Sequence, residues 1–277
     1  MPLGKKGIII MGVAARRLIF AISIAIAVFL AGAASAGSPS EAGPANSQPG
    51  NRVLISEDFS NLDNWAPFRL FKGKKNTLYT CAVEDGQKCL KAESDCSVSA
   101  LALNREFNVY EFPVVSWKWK VDNVYKNGDI EKKSLNDAPA RLYILFKYNP
   151  EKAGFFTKLK YSIAKRIYGM YPPQSSLCYV WANRPYKRKV ITSPVWSRSK
   201  SIVLEAGDAH LGQWRQEQVN IVEDYRAAFG KNPPRMAVLA IMDNSQHTCE
   251  KSVSYFGSLE ISGQGPAGDP STAGRPD

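Results

Sequence analysis

Short runs of β-branched and aromatic residues recur along the middle of the chain, and Gly, Pro, Asn and Asp separate them. Such runs predict strands. The twelve candidates are 53–59, 65–71, 77–83, 88–93, 97–103, 114–121, 141–148, 177–182, 201–206, 215–221, 236–242 and 252–261. Strands and helices do not alternate regularly, which argues against a doubly wound α/β sheet. Many short strands with few helices are typical of sandwiches. We therefore expect an all-β, jelly-roll-like β-sandwich with one or two short inserted helices.

The clearest alternation lies in Val115-Ser-Trp-Lys-Trp-Lys-Val121, where apolar and polar residues take turns. Successive side chains of a strand point to opposite faces, so we expect one face of this strand to be buried and the other to be exposed to solvent. Trp117 and Trp119 share the apolar face and are expected to fill the core.

Two stretches have helical character instead. Residues 155–168, from Phe155 to Tyr168, place apolar side chains near helical spacing with Lys and Arg between them, which predicts a basic amphipathic helix. Residues 222–229 predict a second, short helix, which Gly230 and the following pair of prolines end.

The two ends of the chain differ from the middle. Four basic residues precede an apolar run over 18–30, and Ala34-Ser35-Ala36 follows, so residues 1–36 are predicted to be a signal peptide. A retained membrane anchor is the alternative, although the run is shorter than the roughly 20 residues of a membrane span. Residues 37–51 form a predicted flexible linker, 52–261 the β-sandwich domain and 262–277 a disordered tail. The expected location is periplasmic or secreted. Cleavage would leave 32 basic and 25 acidic residues, a net charge of +7.

Export permits disulfides, and all five cysteines follow the predicted cleavage site. Cys81, Cys89 and Cys96 are close in sequence, and we expect one bridge within this group and a second between Cys178 and Cys249. Sequence alone does not determine the pairing. The odd number leaves at least one thiol free or paired with another chain.

Six segments together resemble an uncharacterised bacterial family of exported proteins, known as domain of unknown function 3047. They are Phe-Pro-Val-Val-Ser-Trp-Lys-Trp-Lys-Val at 112–121, Asn-Asp-Ala-Pro-Ala-Arg-Leu-Tyr at 136–143, Cys-Tyr-Val-Trp-Ala at 178–182, Glu-Asp-Tyr-Arg-Ala-Ala-Phe-Gly at 223–230, Ala-Ile-Met-Asp-Asn at 240–244 and Tyr-Phe-Gly at 255–257. The resemblance covers nearly all of 52–261 and implies a jelly-roll β-sandwich, with no established activity and no catalytic residues. The family pattern has Gly-Asp-Asp before Ala-Pro-Ala-Arg, whereas this chain has Leu135-Asn136-Asp137, which argues against a role for two adjacent carboxylates.

Aromatic and charged residues near predicted loops are the candidate ligand contacts. These are Asp137, Arg141, Trp196, Trp214, Asp224 and Asp243. Exposed tryptophans suit sugar rings, and Asp137 and Arg141 fall on one face of a regular strand, where they could form a charge-assisted pair. For each residue a purely structural role is the alternative: a core or loop tryptophan, a bridge that holds the turn at Pro139, and a carboxylate favoured by a helix dipole.

No catalytic residues or metal site are assigned from the sequence. Asp243 and Asn244 offer the oxygen ligands that calcium prefers, so calcium is the one cofactor left open. Two histidines are too few for a histidine-rich zinc site. Hydrolase motifs such as G-x-S-x-G and H-E-x-x-H are absent. The sequence leaves catalysis undecided and favours a protein that is not an enzyme.

The function expected from these observations is non-catalytic binding of a carbohydrate or glycan by an exported envelope protein. One alternative is a polysaccharide hydrolase or lyase that uses paired carboxylates, such as Asp137 with Asp224 or Asp243. Another is a structural protein that contacts membranes or other proteins through 155–168. Nucleic acid is not an expected partner of an exported protein, and the sequence does not indicate the oligomeric state.

Overall fold

Two β-sheets pack face to face in the computed structural model, which describes residues 52–68, 74–151 and 171–263, together with 154, 155, 158, 159, 161 and 162. The described strands are β1 (Arg52–Glu57), β2 (Trp65–Phe68), β3 (Leu78–Glu84), β4 (Gln87–Asp95), β5 (Val98–Leu103), β6 (Phe107–Asn108), β7 (Val114–Val121), β8 (Ala138–Phe146), β9 (Ser175–Ala182), β10 (Val190–Thr192), β11 (Ser199–Ala206), β12 (Arg215–Asn220), β13 (Met236–Asn244) and β14 (Lys251–Gly263). A 3-10 helix (Lys133–Leu135) precedes β8, and helix α1 (Ile221–Phe229) follows β12 directly. The prediction of an all-β, jelly-roll-like sandwich is confirmed.

Sheet one has the strand order β12-β7-β14-β4-β3, and β1 also pairs with β14. Sheet two has the order β10-β11-β9-β8-β13-β5-β2, and β6 also pairs with β13. All these pairs are antiparallel except β9 with β11. Strands β8, β9 and β13 form the centre of sheet two. Their two ends present two separate loop regions.

Aromatic side chains fill the space between the sheets. Trp117 and Trp119 are 1% and 0% exposed, and their rings meet edge to face with centroids 5.3 Å apart. Trp119 also lies within ring contact of Trp181 from sheet two and Phe256 from β14. The prediction that the tryptophan pair of β7 fills the core is confirmed, since alternation directs both rings towards sheet two.

Sheet two is buried on its outer face as well. Its second buried cluster contains Ala100, Tyr143, Cys178 and Met242 on the strands, and Ile130 from the loop before β8. This explains why its strands read as nearly continuous apolar runs rather than as clean alternations.

Helix α1 has a defined signal at each end. The Asn220 side chain accepts hydrogen bonds from the backbone N–H groups of Val222 and Glu223, which makes it an N-cap. Gly230 takes the left-handed conformation (φ 66°) and donates its N–H to the carbonyl of Arg226. The helix predicted over 222–229 is thus confirmed, and it begins one residue earlier.

The second predicted helix, over 155–168, falls largely outside the described residues. Its described members, Phe155, Lys158, Leu159, Tyr161 and Ser162, have helical backbone. Phe155 and Leu159 are 74% and 50% exposed, whereas Tyr161 is buried. Within the described residues, no helix has the length and apolar character needed to cross a membrane.

The domain boundaries are only partly visible. Strand β14 continues to Gly263, two residues beyond the predicted end of the domain. The predicted signal peptide, the linker and the tail from residue 264 lie outside the described residues.

The disulfide prediction was wrong. Cys96 and Cys249 form the disulfide, whereas Cys81, Cys89 and Cys178 are free thiols. The strand register explains the pairing: Asp95 lies opposite Lys251, and Val98 lies opposite Asn244, so the turn after β4 and the loop after β13 are adjacent.

The other three cysteines are held apart. In the β3–β4 ladder Cys81 lies opposite Leu90 and Cys89 lies opposite Ala82, so the two thiols occupy opposite faces of sheet one. Cys178 is fully buried on the outer face of sheet two, beside the guanidinium of Arg141.

Candidate functional site

Two segments singled out from the sequence meet at one end of sheet two. Asp137 comes directly before β8, and His247 lies in the loop after the neighbouring strand β13. One carboxylate oxygen of Asp137 lies 2.6 Å from Nδ2 of Asn244 and 2.9 Å from Nδ1 of His247. Its other oxygen accepts the backbone N–H groups of His247 and Thr248 at 2.8 and 2.7 Å. These hydrogen bonds hold the loop in place. Asp137 is completely buried, so it presents no surface to solvent.

Arg141 is buried on the outer face of sheet two, only 2% exposed. Its guanidinium donates to the side-chain oxygen of Asn136 at 2.8 Å and to the hydroxyl of Tyr143 at 3.3 Å. The Nε of Arg141 has no hydrogen-bond partner in the described residues. The expected pair with Asp137 does not form, because the Asp137 carboxylate is taken up by the loop at 244–248.

Asp243 faces the space between the sheets, one residue along β13 from Met242 on the outer face. Its carboxylate accepts hydrogen bonds from the hydroxyls of Tyr125 at 2.7 Å, Ser252 at 2.8 Å and Ser254 at 3.3 Å. Complete burial raises the pKa of Asp243 to about 8, although these hydrogen bonds act in the opposite direction. Asp243 is therefore a buried carboxyl group whose hydrogen-bond partners are hydroxyl groups.

Asp224 lies on α1 and is partly exposed. The hydroxyl of Tyr179, which reaches out from the core, donates to it at 2.8 Å. Burial raises the pKa of Asp224 above its usual range. The nearest charges acting on it are those of Lys189 and Glu223, so neither Asp137 nor Asp243 is its partner.

The two candidate tryptophans lie at separate places. Trp214 lies on the outer face of sheet one, where its ring covers Gly257 and its indole N–H donates to Asp85 at 3.0 Å. Trp196 is half-buried in the turn before β11. Both keep part of their rings accessible.

The structure brings Asp137 together with Asn244 and His247 but does not gather the six predicted residues into one site. Among the residues that the structure describes, no group of three or more His, Cys, Asp or Glu side chains is arranged to hold a metal ion. A calcium site at Asp243 and Asn244 stays a prediction.

A large cleft opens at the opposite end of sheet two, with a volume of about 1200 Å³. The end of β8, the starts of β9, β11 and β13, the C-terminal half of α1 and the loop over 231–235 border it. None of the six predicted residues lines it. Its aromatic residues are Tyr110, Tyr148, Tyr225 and Phe229.

One wall of the cleft contains a stack of tyrosines. The rings of Tyr148 and Tyr161 are nearly parallel with centroids 3.8 Å apart, and Arg198 donates to the hydroxyl of Tyr161 at 3.0 Å. Tyr148 is only 8% exposed, yet its hydroxyl has no hydrogen-bond partner among the described residues. Burial raises the pKa of Tyr148, so this hydroxyl keeps its proton.

The facing wall is built on α1. Tyr225 packs edge to face on Phe146 of the core and stacks on Phe229, with centroids 4.6 and 4.3 Å apart. The Tyr225 hydroxyl lies 2.9 Å from the hydroxyl of Ser175 at the start of β9. The helix thus connects the core to the cleft through two rings.

Nothing in the local sequence marks these cleft residues as a group. They come from five separate stretches of chain, and the strand order of sheet two brings them to one edge. The sequence features that could have pointed to the cleft are Tyr110, Tyr148 and the pair Pro233-Pro234, which follows α1.

A model of a protein family described as "Protein of unknown function (DUF3047)" matches residues 63–260. The chain therefore belongs to this family. A comparison with curated proteins finds none that matches.

Several solved structures are similar in fold. A family 11 carbohydrate-binding module of a cellulosomal cellulase from Clostridium thermocellum is 8% identical, with 80% of this chain and 100% of that chain covered and a TM-score of 0.37. Endoglucanase 3 of family GH12 from Trichoderma harzianum is 10% identical, with 80% and 100% covered and a TM-score of 0.40. A mannan-recognising carbohydrate-binding module, TmCBM27, is 10% identical, with 77% and 98% covered and a TM-score of 0.30. At these identities and scores the similarities say nothing about the ligand of this chain.

Proposed function

We propose that this member of the family is an exported, non-catalytic glycan-binding protein of the bacterial envelope, and that the cleft between α1 and the end of sheet two is its binding site. The observation that carries the proposal is the combination, in one open cleft, of tyrosine and phenylalanine rings with the buried hydroxyl of Tyr148, which has no hydrogen-bond partner among the described residues.

Size and chemistry both suit a saccharide. The cleft, at about 1200 Å³, exceeds the roughly 300–1,000 Å³ of sites for drug-sized ligands, so it has room for several sugar units. Aromatic faces accept the C–H side of a pyranose ring, and hydroxyl and amide groups fix its orientation. Buried polar groups are normally paired, and a sugar hydroxyl would supply the missing partner of Tyr148.

Export is supported by two features. The disulfide between Cys96 and Cys249 is of the kind that persists in oxidising compartments. Residues 1–36 have the pattern of a signal peptide. Amino-terminal sequencing of the mature protein from cell fractions would test both the cleavage after residue 36 and the location.

Replacing Tyr148 by Phe separates binding from stability. An unpaired buried hydroxyl costs about 1–3 kcal/mol, so Tyr148→Phe should raise the free energy of unfolding of the free protein by about 1 kcal/mol. It should also weaken binding about 3- to 10-fold, because the hydrogen bond to the sugar is lost. Urea unfolding and calorimetric titration with the best ligand from a panel of xylan, mannan, β-glucan, pectin and peptidoglycan fragments measure the two effects.

The matched control is Tyr255→Phe, which removes a hydroxyl from the outer face of sheet one, far from the cleft lining. Its affinity should be unchanged. Trp214→Ala tests the competing location, since Trp214 lies on that outer face too. Loss of binding in Trp214→Ala together with full binding in Tyr148→Phe would show that the glycan binds on the outer face of sheet one and not in the cleft.

A polysaccharide hydrolase is the second candidate, because burial raises the pKa of two partly exposed carboxyls, Glu217 and Asp224. A raised carboxyl pKa is the direction of change that a general acid needs. Product release from the same polysaccharide panel, lost in Asp224→Asn, would favour this function over simple binding.

A membrane-surface role is supported by the exposed apolar side chains Phe155 and Leu159, four residues apart, with Lys158 beside them. Co-sedimentation with anionic liposomes that disappears in Leu159→Ser would favour that role.

A further inference from the structure

We infer that the glycan held in the cleft is negatively charged and carries carboxylate groups, as a polyuronate does. This inference rests on the proposed function and adds the chemical class of its ligand.

Basic residues dominate the lining of the cleft. Five are basic, Lys147, Arg198, Lys200, Lys231 and Arg235, and two are acidic, Glu106 and Glu151. Lys147 forms an ion pair with Glu106, which neutralises one charge of each sign. For the other four cations, no carboxylate lies within ion-pair distance in the described part of the chain.

Two of these cations cover the aromatic rings that a sugar would use. The Lys200 ammonium lies 5.7 Å from the centre of the Phe229 ring, and the Arg235 guanidinium lies 5.9 Å from that of Tyr110. These are cation–π distances. A neutral sugar would have to displace the cations to reach the rings, whereas an acidic sugar can pair with them where they are. The surface offered to the ligand is therefore cationic.

The positions of the cations also favour a chain with repeated charges. Arg198 belongs to the wall of stacked tyrosines, Lys200 covers α1, and Lys231 and Arg235 lie on the loop between α1 and β13. Charges spread around one cleft match several carboxylates better than one.

Phosphate groups share part of this chemistry. The planar guanidinium of an arginine can bind either a carboxylate or a phosphate with two hydrogen bonds, so phosphate-bearing glycans form a separate arm of the test.

The decisive comparison uses two ligands with the same backbone. Polygalacturonate oligosaccharides carry one carboxylate per sugar, and their full methyl esters carry none. Calorimetric titration of the protein should give at least about tenfold tighter binding of the acid form at low salt. The advantage should shrink as NaCl rises from about 0.05 M to about 0.5 M, because salt screens exposed charges.

Charge-removing variants connect the effect to the cleft. Lys200→Gln with Arg235→Gln removes both charges and keeps a polar side chain at each position. It should weaken binding of the acid form about tenfold without weakening binding of the methyl ester. Lys187→Gln with Arg188→Gln removes the same two charges from the exposed loop before β10 and should change neither affinity. If the first variant unfolds at the assay temperature, Lys231→Gln is used instead. Lys231 is exposed, so removing its charge should leave the fold intact and should still weaken binding of the acid form.

A wider array identifies which proposal fails. It contains polygalacturonate, alginate and hyaluronate, a phosphate-linked teichoic acid, and neutral xylan, mannan and methyl-esterified galacturonan. Equal or tighter binding of neutral glycans would overturn the inference and leave the proposed function standing. Preference for teichoic acid over all carboxylated glycans would overturn the carboxylate assignment. Binding to anionic phosphatidylglycerol vesicles with no glycan bound would overturn the inference and the proposed function together.

Discussion

At the scale of single residues, Asp243 shows what enclosing a carboxylate between two sheets costs. Burial raises its pKa to about 8, so the native protein holds this proton much more tightly than the unfolded chain does. As pH rises from about 4 to about 8, the unfolded state releases the proton first and gains stability relative to the native state. The free energy of unfolding should therefore fall over this interval, by up to about 1.4 kcal/mol per pH unit from this group.

Asp243→Asn imitates the protonated carboxyl and should remove this pH dependence. We expect the variant to match the parent near pH 4 and to be more stable by up to about 5 kcal/mol near pH 8, as measured by urea unfolding at several pH values. Asp208→Asn, in an exposed loop, removes the same charge and should leave the slope of the parent unchanged. Parallel curves for the parent and Asp243→Asn would show that Asp243 ionises normally in the folded protein.

At the scale of elements, the disulfide connects the turn after β4 to the loop after β13, and this loop also supplies the two N–H groups that Asp137 accepts. The bridge joins residues 153 apart in sequence, for which the chain-entropy estimate is about 5 kcal/mol. Replacing Cys96 and Cys249 by Ser should therefore lower the free energy of unfolding by about 2–5 kcal/mol.

The control for that variant is Cys81→Ser, which removes an exposed free thiol and should be neutral. Reduction by dithiothreitol should lower the Tm of the parent and of Cys81→Ser but not that of the double variant. A parent protein that is equally stable with and without reductant would contradict the stabilising role of the bridge.

At the scale of the whole molecule, most of the fold follows from local pattern. Alternation in β7 and the residue types of the other runs predicted twelve of the described strands, and missed β6 and β10, which have two and three residues. Gly230 and the two prolines after it made the end of α1 predictable, whereas the Asn220 cap is seen only in the structure. The disulfide and the cleft were not predictable, because strand order decides both. Cys96 and Cys249 become neighbours, and Tyr148 and Tyr225 come to line one cleft, only once the strands of both sheets are in their final order.

The pairing of β14 has a consequence for how the protein is made. This strand lies in the middle of sheet one and pairs with β7, β4 and β1, all of which come earlier in the chain. Until the ribosome has added β14, those three strands lack their common partner, so sheet one completes its pairing only when the last strand has been synthesised.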